Sequence, residues 1–405
     1  MNLSMKLTRL LPILLCVPLL ATRGHDDVRF AAGRSALCIP FDAANRHIAF
    51  EGRINGRDGM RLVLDTGAGG SVLDAARAES LGLESVGEQH ALGSGGAEHG
   101  SRVRGVDVGL PGFTLLDQSM STLRLTALAA QTGRFLDGIL GQPLFARCVV
   151  EVDYARKCVS LFDAEGYEYR GPGVSVPITF KDNLPYVKAR VTLPDGRSIS
   201  GKFVIDTGAS TNLILSPDAI EREGVMRSLG KTMSVQSRGV GGGTDVQLAR
   251  IASLQIGGFT LAQPVVALQP AGPGRISAEG TVGNIGGGIL GRFKVTFDYA
   301  RRRMILEPGP DMGLPFEADM SGLGLVALGP DFRRVSVARV LDESPALAAG
   351  IQSGDEIETV DGRPAAELGL SALRERLRLP DQAVKLELKR GTELMTIGLT
   401  TRRMI

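Results

Sequence analysis

Two aspartates in nearly identical settings are the residues best placed to do chemistry. Asp65 sits in Leu62-Val63-Leu64-Asp65-Thr66-Gly67-Ala68, and Asp206 in Phe203-Val204-Ile205-Asp206-Thr207-Gly208-Ala209. Each follows an apolar β-type run and precedes Thr-Gly, so each carboxyl is expected on a buried tight turn. The glycines Gly67 and Gly208 let a second, identical turn approach closely. The hydroxyls of Thr66 and Thr207 are suited to bonding across and holding the opposite turn. Two carboxyls held about 3 Å apart do not both ionise readily, so one proton is shared and the pair titrates in two separated steps. The charged member then acts as a general base on a trapped water, while the protonated member polarises a carbonyl oxygen. That is the chemistry of water attack on an amide bond, and it calls for no metal and no cofactor.

The elements needed to position these residues occur twice, in the same order. An alternating strand around 47–54 and another around 185–191 each lead through a turn into the aspartate strand. Asp74 and Ser216 then read as N-caps of short helices at 75–80 and 217–223, with Pro217 suited to a first helical turn. Glycine-rich hairpin tips follow at 93–100 and 239–243, and Gly112-Phe113-Thr114-Leu115 matches Gly258-Phe259-Thr260-Leu261. Gly138-Ile139-Leu140-Gly141 is paired with Gly288-Ile289-Leu290-Gly291, and Val152-Asp153-Tyr154-Ala155-Arg156 with Phe297-Asp298-Tyr299-Ala300-Arg301. The copies differ after the alanine, where Gly69-Gly70 faces Ser210-Thr211.

Apolar-apolar-Asp-Thr-Gly-Ala followed by an apolar-apolar-Gly phrase, both present twice, resembles the double signature of retropepsin-like aspartic proteases across roughly residues 45–307. The resemblance implies two β-barrel lobes, each giving one catalytic aspartate, Asp65 or Asp206, to a cleft between them. It also implies flap hairpins near 93–100 and 239–243 closing over an extended peptide substrate. Thr66, Gly67, Thr207 and Gly208 are expected to support the pair. A hydroxyl or acid after the alanine supports the outer carboxylate oxygen in related enzymes, which gives Ser210 that role beside Asp206 and leaves Asp65 without a counterpart.

The repeat ends near Glu307-Pro308-Gly309-Pro310, a linker by composition. Beyond it, Ser321-Gly322-Leu323-Gly324-Leu325 and Ser344 to Gly362 resemble a PDZ domain of the kind attached to exported proteases. On that resemblance, Gly322, Leu323, Gly324 and Leu325 form the loop that receives a peptide C-terminus, and a helix at 370–379 forms the other groove wall. Such a domain binds a peptide as an added strand. A docking module that packs on the protease and binds no peptide is the alternative.

The expected fold is therefore mainly β: two tandem retropepsin-like β-barrel lobes of the acid protease fold at 41–165 and 175–308, with a small α+β PDZ domain at 316–405. Bulk composition agrees, since 405 residues are too many for one core, and 53 Gly with no Trp favour short strands joined by turns. A net charge of +2 with interspersed acids and bases points away from nucleic acid and from anionic membrane surfaces. Lys6 and Arg9 precede an apolar stretch at 10–20 that is too short to span a bilayer and reads as a signal peptide over 1–24. Export to a periplasmic or extracellular space follows, with an uncleaved N-terminal anchor as the alternative; no other segment is apolar and long enough to cross a membrane.

An oxidising compartment favours cysteine pairing. Removing the signal leaves Cys38, Cys148 and Cys158, an odd number, and they are expected to be buried thiols acting as small hydrophobes. His25, His47, His90 and His99 lack metal-ligand spacing. The segment Gly196 to Lys202 nearly spells a phosphate-binding loop, but Phe203 stands where Ser or Thr is required and a strand follows instead of a helix. Two readings of the whole remain: an aspartic endopeptidase with one intramolecular dyad, and a non-catalytic peptide-binding adaptor on an inactive protease-like scaffold.

Overall fold

The computed structural model describes residues 27–93, 95–271 and 280–405. The signal segment expected at 1–24 lies outside the described residues. Period-two alternation of apolar and polar residues produces strands throughout, arranged as two lobes and a C-terminal domain, as the mainly β reading anticipates.

Lobe 1 is an eight-stranded sheet curled on itself, with the aspartate strand Arg57–Leu64 inside it. Lobe 2 repeats the plan around Ser198–Asp206. The helices at Ala75–Ser80 and Pro217–Arg222 start where the sequence places them. Asp74 accepts from Arg77 N–H at 3.2 Å and Ser216 from Ala219 N–H at 3.3 Å, satisfying donors that a helix start leaves open.

A six-stranded sheet joins the lobes from beneath, in the order Val174–Pro177, Arg303–Pro308, Phe293–Asp298, Cys148–Asp153, Cys158–Asp163, Ser35–Pro40. Its central pairing is between the matched strands of the two copies, with Val150 opposite Phe297 and Val152 opposite Val295. One apolar core consequently runs through both lobes, from Phe50, Leu62 and Phe145 to Phe203, Ile285 and Phe297. The strands Val28–Phe30 and Ser35–Pro40 precede the expected lobe boundary at 41 and extend its sheets.

The expectation of unpaired thiols is corrected here. Cys38 and Cys158 form a disulfide, and only Cys148 remains a buried thiol among the described cysteines. The pairing arises because Ser35–Pro40 lies antiparallel to Cys158–Asp163, a register between segments far apart in the chain. The linkage ties the first strand of the joining sheet to the rest of lobe 1.

In the C-terminal domain six strands and the helix Ala365–Leu377 enclose a second core. The helix begins earlier than the sequence spacing suggests, and it carries a break at Gly369, whose φ of 75° suits glycine. Among the described residues no helix is long and apolar enough to cross a membrane.

Candidate active site

Each aspartate strand is clamped by neighbours running alongside it. Arg57–Leu64 lies parallel to Gly138–Leu140, with Leu62 opposite Gly138 and Leu64 opposite Leu140. Ser198–Asp206 lies parallel to Thr281–Gly286, with Phe203 opposite Gly283 and Ile205 opposite Ile285. These registers correct the motif pairing drawn from sequence. The counterpart of Gly138-Ile139-Leu140-Gly141 is Gly283-Asn284-Ile285-Gly286, which keeps the same numbering offset that relates Asp153 to Asp298. Gly288-Ile289-Leu290-Gly291 instead runs into and past the short helix Gly287–Leu290 that follows.

The threonines cross between lobes as expected. Thr66 donates its hydroxyl to Ile205 C=O at 2.7 Å and accepts from Thr207 N–H at 3.0 Å. Thr207 donates to Leu64 C=O at 3.0 Å and accepts from Thr66 N–H at 3.0 Å. Both are fully buried, so each of these four bonds removes a backbone group from an otherwise unsatisfied state.

The crossing presses the aspartates together. Their carboxyls face each other closely enough to couple, and each lies against the opposite turn's glycine, Asp65 against Gly208 and Asp206 against Gly67. Asp65 Oδ1 accepts from Gly67 N–H at 2.7 Å, and Asp206 Oδ1 from Ala209 N–H at 2.9 Å. Burial, followed by the nearby Asp206 carboxyl, pushes Asp65 well above the usual carboxylate range.

Ser210 does not perform its expected role, because no hydrogen bond joins it to Asp206. The second oxygen of Asp206 accepts instead from the side-chain amide of Asn284, at 2.6 Å. Asn284 occupies the position that Ile139 holds in lobe 1, an equivalence that the strand register reveals and the residue letters do not. On the other side, Gly69 offers only its backbone, accepting from the Asn183 amide at 3.2 Å. A further unanticipated neighbour is His47, whose Nε2 bonds Gly208 C=O at 2.9 Å; burial lowers its pKa.

Both glycine-rich segments are hairpins, Glu88–Gly93 with Gly96–Leu110 and Met233–Gly239 with Gly242–Arg250. Their tips meet, Gly95 N–H donating to Val240 C=O at 2.9 Å. Val240 packs against the same lobe 1 apolar cluster as Ala68 and Val72, so the second hairpin reaches across to the first lobe.

In the C-terminal domain the expected carboxylate loop is occupied by its own chain. Gly322 N–H donates to Asp319 at 2.6 Å, and Leu323 N–H to the Ser321 hydroxyl at 3.1 Å. Gly324 and Leu325 lie on the strand Leu323–Leu328, which pairs on one side with Arg334–Val340. Across from it, the lobe 1 helix Thr126–Thr132 packs against both groove walls. Ala129 joins the core formed with Leu325 and Leu370, and the adjacent Gly133 touches Leu370. Arg374, on the groove helix, donates to Leu325 C=O at 2.7 Å and to Gln131 C=O at 2.6 Å, tying strand, helix and lobe together.

A family profile described as aspartyl protease matches residues 50–144 and 187–292, and one described as PDZ domain matches 318–389. No curated protein matches the chain. Among solved structures, the aspartic proteinase from Irpex lacteus is similar at 17% identity, over 68% of this chain and 98% of that one, with a TM-score of 0.45. The protein thus carries an aspartyl protease family domain, in two segments, followed by a PDZ domain.

Proposed function

We propose that this chain is an exported aspartic endopeptidase that uses Asp65 and Asp206 as one intramolecular dyad. The observation that carries the reading is the pair of carboxyls brought face to face by two crossed Asp-Thr-Gly turns, with burial raising the pKa of Asp65. Asp206 takes a proton from a water lodged between the carboxyls. The oxygen of that water bonds to the peptide carbonyl carbon as Asp65 passes its proton to the carbonyl oxygen, giving a neutral diol. Collapse of the diol breaks the C–N bond: the proton gained by Asp206 passes to the departing nitrogen, and a hydroxyl proton of the diol returns to Asp65. An extended chain reaches the pair only when the two touching hairpin tips part.

The Cys38–Cys158 disulfide supports a periplasmic or extracellular location, because such bonds persist in oxidising compartments. At the PDZ domain, a peptide adding to Leu323–Leu328 as a strand, or presenting its C-terminus at Gly322–Leu325, competes with the helix Thr126–Thr132 and with Arg374. Peptide binding there is therefore coupled to movement of lobe 1.

The test is incubation of the full chain with a denatured protein, read by mass spectrometry beside Asp65→Asn and Asp206→Asn. Cleavage by the parent and by neither variant is expected. Capture of peptides without turnover would leave the adaptor reading in its place.

A further inference from the structure

Asn284 stands where the other lobe has Ile139, on the strand that clamps the aspartate. It is 3% exposed, flanked by Val204 on one side and Ile214 on the other. Its Nδ2 donates to Asp206 Oδ2 at 2.6 Å, while its Oδ1 is buried with no partner among the described residues. An apolar side chain at that position, such as Ile139, avoids the cost of an unpaired buried oxygen. The amide therefore packs less favourably than an apolar side chain would, and the one side-chain bond it makes is to Asp206.

We propose that Asn284 is a positioning residue that breaks the symmetry of the pair, making Asp206 the proton acceptor and Asp65 the proton donor. A hydrogen bond donated to a carboxylate favours its charged form. Asp65 receives only backbone donors, from Gly67 and Gly208, whereas Asp206 receives Ala209 N–H on one oxygen and the side-chain amide of Asn284 on the other. Asp65 faces Asp206 directly, Tyr299 faces Asp65 and is held neutral by burial, and His47 is pushed toward its neutral form by burial. Arg374 acts on His47 from the PDZ side. The role assignment rests on the dyad reading above, whereas the ionisation order does not.

The experiment uses the full chain with carboxyl-labelled aspartate, titrated by NMR, in the parent, Asn284→Leu and Asn284→Asp. Leu keeps the volume and removes the donor; Asp keeps the shape and replaces the donor with an acceptor. In the parent, Asp65 is expected to be the carboxyl that keeps the shared proton. Asn284→Leu should raise the lower of the two macroscopic pKa values by about one unit or more. Asn284→Asp, which keeps the shape but adds a carboxyl in place of the donor, should raise it further. The acid limb of kcat/KM should move by the same amount, with kcat reduced about tenfold and KM less affected. A lower pKa unchanged in either folded variant, or Asp65 ionising first in the parent, overturns the proposal. If the titrations shift as expected but the parent hydrolyses nothing, the endopeptidase reading fails and the ionisation order stands.

Discussion

Gly208 is moulded around Asp65: a Cβ added at Gly208 would lie 2.3 Å from the Asp65 carboxyl carbon. The reciprocal contact, Gly67 to Asp206, would be 2.6 Å. Both distances are far inside van der Waals contact, so the glycines are required by approach and not by backbone angle. Gly208→Ala should push the carboxyls apart, abolish hydrolysis, and cost about 1–3 kcal/mol in stability as an overpacked site. Peptide cleavage and denaturant unfolding measure the two effects; full activity in the variant would contradict this account.

The crossed threonines make a second, separable prediction. Thr66→Ala leaves Thr207 N–H and Ile205 C=O buried without their partner. The expected loss is about 2–4 kcal/mol, whereas Thr66→Ser, which keeps the hydroxyl, should lose markedly less. Urea unfolding of both variants supplies the comparison, and equal losses would show that the methyl group matters more than the bonds.

Asp65 also sets a pH dependence. Its folded pKa is raised above the unfolded value, so its contribution to stability is fully present below the unfolded pKa, near 4. It is lost as pH rises through the folded pKa, because the native state retains a proton that the unfolded chain has released. Asp65→Asn should remove this slope and gain stability relative to the parent at pH 7 more than at pH 4. Chemical denaturation at both values reads it directly.

Much of this site was legible because its signals are local. The two Asp-Thr-Gly phrases and the two helix caps announce themselves within a few residues. Asn284 did not, since Gly288-Ile289-Leu290-Gly291 offered the better letter match five residues further on. The strand register chose Gly283-Asn284-Ile285-Gly286 instead, and the Asp153–Asp298 block already carried the offset that would have located it. The Cys38–Cys158 pair depends on which strand lies beside another across a long loop, which no spacing reveals. Nothing in Thr126–Thr132 marks it as a partner for the PDZ groove, because its small residues gain meaning only from the surface they meet.

Opening that disulfide should be costly. Replacing Cys38 and Cys158 with serine frees a long loop and is expected to lower stability by about 2–4 kcal/mol, while Cys148→Ser, lacking any such closure, tests packing alone. Denaturant midpoints with and without reductant on the parent provide an independent check.

At the PDZ groove, Arg374→Ala removes donors to both Leu325 and Gln131, and Ala129→Asp places a charge in the apolar contact. Each should weaken the docked helix and raise affinity for an extended or C-terminal peptide several-fold. Fluorescence anisotropy with a labelled peptide library follows it, and unchanged affinity in both variants would show that the helix does not compete.

The sheet that binds the lobes, with Cys148–Asp153 against Phe293–Asp298, is a joint between equivalent edges, the kind that two separate identical chains form about a twofold axis. In such a homodimer every position is obliged to carry the same residue on both sides. Fusion into one chain lifts that obligation. Isoleucine at 139 and asparagine at 284 are a difference that only a tandem arrangement is free to acquire, and it falls beside the pair of groups where equality is least useful.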